Sequence, residues 1–357
     1  MKIFLTVVLI GFSIGCTKSD GKDFGSRTGN MPVPLFSPDS GRVFNVDPPR
    51  TLMAMAGHGN YLVLGGGFRR VMMECWELFK DVYIYDKTSG IWETVYLNEA
   101  RSMLTIAGTG NKLLFAGGIN DNGNNHTSTL EVYDITNRSW EMYSLSTPRL
   151  AMAVATTENK VIFSGGTSLQ NPQGAIDVYD SESGTLSSFR MHTPRYAHSA
   201  SVKDKLIYIS GGYGYVDGIN HLQEISTIEV FNPVDGSIST MEMKYPRATH
   251  ATIVSGNNLW LIGGTRKDIE MIDLTTGNSS IFSMEYSLRT NQPPVFFNDS
   301  WWIISTFEGE PYVFQFNEED VSLRKYYAPH SRQIHGAAGV EDDFFILIDS
   351  GIFKVDK

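Results

Sequence analysis

Cysteine is scarce, with two residues in 357, and that excludes a fold stapled by disulfides. Positive charge is also in deficit. Lys and Arg together number 29 against 39 Asp and Glu, a formal net charge of -10. Such a chain lacks the clustered cations that displace counterions from a phosphate backbone, so nucleic acid is excluded as a partner. No apolar run is long enough to cross a bilayer as a helix; the N-terminal one, from Ile3 to Phe12, stops far short. The body of the chain also has no nucleophile elbow, phosphate loop or metal-binding His-Glu-x-x-His helix. What the chain does have is enough apolar residue, 41%, to bury a core, which excludes disorder. Its 34 glycines predict many turns.

The first residues belong to targeting rather than to fold. Lys2, the apolar run and then Ser13-Ile14-Gly15-Cys16 have the shape of a signal peptide. The small residues before Cys16 resemble the lipobox of bacterial lipoproteins, a plain secretory signal being the other reading. The resemblance implies removal of residues 1–15 and acylation of Cys16, whose two or three chains would hold the protein stably at a membrane. Residues 16–41 are rich in Gly, Ser, Asp, Lys and Pro without hydrophobic period, and read as a flexible tether. Thr17 and Lys18 do not resemble the signal for inner-membrane retention. The expected location is therefore the cell envelope at the outer membrane, facing either the periplasm or the outside. With Cys16 lipidated, Cys75 is the one remaining thiol.

From Arg42 to Lys357 the chain repeats. Arg50, Arg101, Arg149, Arg195, Arg247, Arg289 and Arg332 recur every 42 to 52 residues. Sixteen residues after each of the first five stands a glycine pair: Gly66-Gly67, Gly117-Gly118, Gly165-Gly166, Gly211-Gly212 and Gly263-Gly264. Ser305 and Ile348 take that place in the last two units. A short apolar run precedes each pair and reads as a strand buried on both faces. A later strand ends in an aromatic with Asp or Asn, as in Tyr85-Asp86, Tyr133-Asp134, Tyr179-Asp180 and Phe231-Asn232. One such unit cannot cover its own apolar faces, so copies must pack around an axis.

The combination of Pro-Arg, Gly-Gly, Tyr-Asp and Trp resembles the kelch repeat, and the likeness covers about 300 residues. It implies an all-β, seven-bladed β-propeller, or six blades if the two degenerate units at the end merge. The seventh unit ends one strand short, whereas Arg42–Val46 alternates and has no place in the first. That segment is predicted to close the last blade as its outermost strand.

The interval from arginine to glycine pair is fixed in those five units, while the interval onward to the aromatic varies. Variation therefore falls between the second and third strands, whose connections emerge on one face, where binding resides in a rigid scaffold. Candidate ligand-binding residues there are Arg69, Trp76, Asn120, His126, Tyr213, Tyr215 and Arg266. Aromatic faces, amides and a few cations suit a glycan or a protein partner of the envelope or surface. The propeller is expected to act as a monomer.

His198, His250 and His335 each fall three residues after a repeat arginine. One equivalent position in several units points to packing, so no metal is expected, nor any cofactor. The kelch resemblance also brings in the sialic acid mutarotases as an alternative function. Their proposed acid/base glutamate follows a glycine near the end of the second strand. The matching positions here hold Phe68, Ile119, Thr167, Tyr213 and Thr265 instead.

Overall fold

The computed structural model describes residues 33–34, 42–72, 75–120, 125–169, 171–215, 221–286, 288–290, 292–307, 310–327, 334–348 and 351–355. Seven sheets, each built on four antiparallel strands, follow one another along them, the third and sixth carrying a fifth strand. In the first, Ala54–His58, Tyr61–Gly65, Asp81–Asp86 and Ile91–Tyr96 run in order from inner edge to outer edge. The next four sheets repeat that order from sequential segments. The last two units form separate sheets, which removes the six-bladed alternative. The sixth sheet comprises Val295–Phe297, Ser300–Phe307, Glu310–Asn317 and Ser322–Tyr327. The seventh takes Ile334–Val340, Asp343–Ile348 and Gly351–Val355 from the C-terminus, and Arg42–Asn45 as its outer strand. No helix occurs among the described residues.

Alternation along each buried strand feeds both junctions of a sheet. Leu62 and Leu64 pack with Ala338, Phe345 and Leu347 of the seventh sheet. Val63, between them, packs with Leu104, Ile106 and Phe115 of the second. Every pair of neighbouring sheets has one such apolar cluster, including the pair formed by the seventh and the first. Seven clusters between seven sheets make a closed ring. At the axis the inner strands approach so closely that a Cβ on Gly57 would lie 2.1 Å from the Gly339 carbonyl oxygen.

In the first six sheets the Asp or Asn that ends the third strand shapes the turn to the outer strand. Asp134 accepts the backbone N–H groups of Thr136 and Asn137, and Asn232 accepts that of Val234. The backbone and side-chain N–H groups of Asn137, with Lys112, hold the Asp134 carboxyl down at about 2. Within the expected tether, Val33 and Pro34 pair in parallel with Tyr326 and Tyr327 on the outer edge of the sixth sheet. Cys16 lies outside the described residues.

Candidate functional site

The repeat arginines lead from sequence to geometry. Arg101 is buried, and its Nη1 donates to the carbonyl oxygens of Gly117 and Thr129. Its Nη2 donates to Glu131 Oε1 at 2.7 Å. Arg149 meets Asp177 at 2.5 Å, Arg195 meets Glu229 at 2.7 Å, and Arg247 meets Asp268 and Glu270 at 3.0 and 3.2 Å. Glu131, Asp177, Glu229 and Glu270 each stand three residues before the Asp or Asn that ends the strand. That recurring acid was the signal available in the sequence. Each also accepts a backbone N–H from the segment leaving the preceding sheet, as from Asn98 to Glu131 and from His192 to Glu229. The pair therefore ties two blades together through its Nη groups, while the Nε atoms of Arg101, Arg149 and Arg247 are buried without a partner.

The glycine pairs serve the same junctions. The N–H of Gly118 donates to the carbonyl of Arg149, and Gly67, Gly166 and Gly212 do likewise to Arg101, Arg195 and Arg247. Both glycines of each pair have positive φ, a region open to them at no steric cost. The histidines are part of this packing. His198 Nε2 lies 3.1 Å from Ser164 Oγ, and His250 Nε2 lies 2.9 Å from Ser210 Oγ. Each therefore bonds to the strand of the preceding blade. Burial, with the nearby Arg195 charge, pushes His198 down to about 3; burial alone takes His335 to about 4. His250 is likewise driven well below its usual value, by burial and by Arg247.

In the first four blades the connection from second to third strand is a small hairpin. Examples are Phe68–Met72 with Cys75–Leu78 and Tyr213–Gly214 with Gln223–Glu224. Bridges such as Thr51↔Phe68 and Tyr196↔Tyr213 hold these hairpins against the links between blades, so both kinds of connection share one face. The candidates divide by how far their side chains are already engaged. Arg69 pairs with Glu77 at 2.5 Å, and Asn120 donates to Glu99 at 3.2 Å. His126 Nδ1 accepts the N–H of Leu169 at 3.0 Å, and burial lowers its pKa. Arg266 pairs with Asp268 at 2.7 Å and lies 4.1 Å above the Tyr245 ring. Trp76 is exposed, its face edged by Phe68 at 4.8 Å. Its contacts stay within blade one, whereas those around Tyr213 cross blades.

Tyr213 leans on the buried Tyr196 at 5.7 Å, and its neighbour Tyr215 is exposed. Its strand partner Glu224 accepts the hydroxyl of Thr265 at 2.9 Å. Arg289 also bears on Tyr213, its charge opposing the upward push that burial and Glu224 give the phenol. This arginine differs from the repeat arginines of the first five units, because it is exposed. The reason is visible in the sixth blade. Phe314 stands where the acid should be, and Ser305 replaces the first glycine. The hairpin stays paired through Phe307↔Glu310, so no notch opens to admit a guanidinium. Ser305 Oγ instead accepts the Arg289 backbone N–H at 2.8 Å.

A family model described as the KLHDC2/KLHL20/DRC7 Kelch-repeats domain matches residues 103–285, half of the chain. No curated protein matches the sequence. Among solved structures, the one titled "Structure of YjhT" is similar at 15% identity, over 65% of this chain and 84% of that chain, with a TM-score of 0.48.

Proposed function

The chain belongs to the kelch-repeat family of β-propellers, and from that premise we propose that it is a lipid-anchored binding module of the bacterial cell envelope whose hairpin face captures a partner protein. One observation carries the reading: the exposed apolar side chains are asymmetric. Val71, Trp76, Leu169, Tyr215 and Tyr245 are exposed on the hairpins and blade links of one face. Beside the turns of the opposite face the corresponding set is smaller, Ile91, Val234 and Phe296, among the described residues. Aromatic side chains of this kind anchor protein contacts, and exposed aliphatic ones favour a protein over a glycan. The repeat arginines, acids and histidines of the first five blades are engaged in holding the ring. The acids described on the hairpins, Glu77 and Glu224, are held by Arg69 and Thr265. These engagements support binding, rather than acid/base chemistry, as the function this face serves.

The anchor follows from the lipobox-like Ser13-Ile14-Gly15-Cys16, with residues 1–15 removed and the propeller starting at Arg42. The test is affinity capture from envelope extract with the full chain and with Trp76→Ala and Tyr215→Ala. Capture of a protein by the full chain, weakened about tenfold or more in each variant as expected for hot-spot aromatics, is the expected result. Equal capture by all three removes the face from consideration, and retention of a glycan alone overturns the choice of a protein.

A further inference from the structure

The open edge of a blade is its outer strand, whose outward N–H and C=O groups have no partner within the sheet. In the sixth blade that edge is covered. Val33 and Pro34 pair in parallel with Tyr326 and Tyr327, at the end of Ser322–Tyr327. Pro34 has no N–H, so the pairing runs through the N–H and carbonyl of Val33. The run Met31-Pro32-Val33-Pro34 suits an edge, because each proline fixes its own φ and holds the residue before it extended. Part of what the sequence reads as a free tether is therefore fastened to the wall of the propeller.

The parallel register fixes the direction. Glu310–Asn317 runs from the Phe307↔Glu310 hairpin to the turn that Asn317 shapes on the opposite face, and Ser322–Tyr327 returns toward the hairpin face. Val33 and Pro34 travel with it, so the chain before Val33 arrives from the side of the turn face. Arg42–Asn45, antiparallel to Gly351–Val355, enters from that same side. Residues 17–32, read as a flexible tether, would span on average about 22 Å, close to the height of a six-residue strand, about 20 Å. A lipid on Cys16 is thereby kept near the turn face. We propose that the Val33–Pro34 strap sets the propeller with its turn face toward the anchoring membrane and its hairpin face away from it, open to a partner that approaches from solution. This rests on the readings of Cys16 as the lipid site and of the hairpin face as the binding surface, and it adds which way that surface looks.

The experiment places the full chain, acylated at Cys16, on liposomes whose headgroups carry a rhodamine acceptor. In a Cys75→Ser background a donor dye sits on Val234→Cys at the turn face or on Leu169→Cys at the hairpin face, positions 74% and 72% exposed. Energy transfer to the membrane should be greater from the turn face by about twofold or more. Hydrogen exchange at Tyr326 and Tyr327 should be slow in the full chain. It should be about tenfold faster in Val33→Pro, which removes the N–H of the strap. That variant should also narrow the difference in transfer, with the thermal midpoint unchanged because the blade keeps its own four strands. Equal transfer from the two faces, or greater transfer from the hairpin face, overturns the orientation. Identical exchange in both chains overturns the strap. A chain without an acyl group on Cys16 overturns the anchor and the orientation with it, whereas acylation with equal transfer sinks the orientation and leaves the anchor standing. Unequal transfer with capture indifferent to Trp76 and Tyr215 removes the binding face and keeps the orientation.

Discussion

At Arg195 the guanidinium is sealed from water, and Glu229 answers it with one oxygen while accepting backbone N–H groups from His192 and Thr193. A buried charge pair is tolerable when its remaining hydrogen-bonding positions are filled in this way. The arginine stood out in the sequence because it keeps a fixed distance to the glycine pair, whereas the acid keeps its fixed distance only to the Asp or Asn three residues on. The acid sits across an interval whose length varies. Arg289 was invisible for a related reason: its identity matches the repeat, and only its missing partners, Phe314 and Ser305, betray the difference. The histidines yield a prediction at this scale. His198, His250 and His335 are held neutral in the fold, with pKa values below the ordinary one. The unfolded chain binds a proton at each near pH 6.5, so below that pH it holds more protons than the native state. Their stabilising effect is complete above pH 6.5 and drains away as pH falls toward 4 and then 3. Each histidine should cost about 1.4 kcal/mol per pH unit within that window. Urea midpoints measured from pH 7.5 to 4.5 should fall steeply, and His198→Asn should reduce the slope by about one third. A flat profile would contradict buried neutral histidines.

At the level of strands and turns, the glycine pairs decide how closely one blade approaches the next. A Cβ at Gly117, where φ is +59°, would lie 2.3 Å from the carbonyl oxygen and 3.5 Å from the carbonyl carbon of Arg149 in the next unit. Both are backbone atoms and cannot step aside without opening the junction. Gly110 has φ +57° but meets nothing within 4 Å. Gly117→Ala should therefore destabilise by about 2–4 kcal/mol, combining strain with overpacking, against about 1 kcal/mol for Gly110→Ala, which carries strain alone. Chemical denaturation of the two variants checks the contrast, and similar losses would mean that backbone conformation, not blade contact, explains the pair. The paired glycines were legible in the sequence because contact between blades tolerates no insertion. The hairpins beyond them were legible as places of variable length, but not in their engagements. That His126 would accept the N–H of Leu169 on the neighbouring hairpin depends on how two blades are set side by side. The single-sequence pattern carries no record of that setting.

On the scale of the whole molecule, the ring is closed by residues far apart in the chain. Arg42–Asn45 pairs antiparallel with Gly351–Val355, and Phe44 stacks on Trp92 of blade one at a centroid distance of 4.0 Å. Val46 is buried in the cluster shared by the seventh and first blades. On the opposite side of that seam, Lys87 of blade one is held by Glu341 and Asp342 of blade seven. The closing strand was readable because the seventh unit ran out of residues and Arg42–Val46 had no other place. A chain beginning at Asp47 leaves Gly351–Val355 as an unpaired edge and exposes the apolar surface that Phe44 and Val46 cover. One buried and one half-buried apolar side chain correspond to about 3 kcal/mol, so its denaturation midpoint should drop accordingly. A synthetic peptide of residues 40–48 should restore the midpoint as its concentration rises, since a ligand for the native state alone stabilises it by mass action. Lys87→Ala, a partly exposed contact, should change the midpoint far less. If the truncated chain unfolded at the original midpoint and ignored the peptide, the seam would be held by blade packing alone. Closure would then owe nothing to the N-terminal strand.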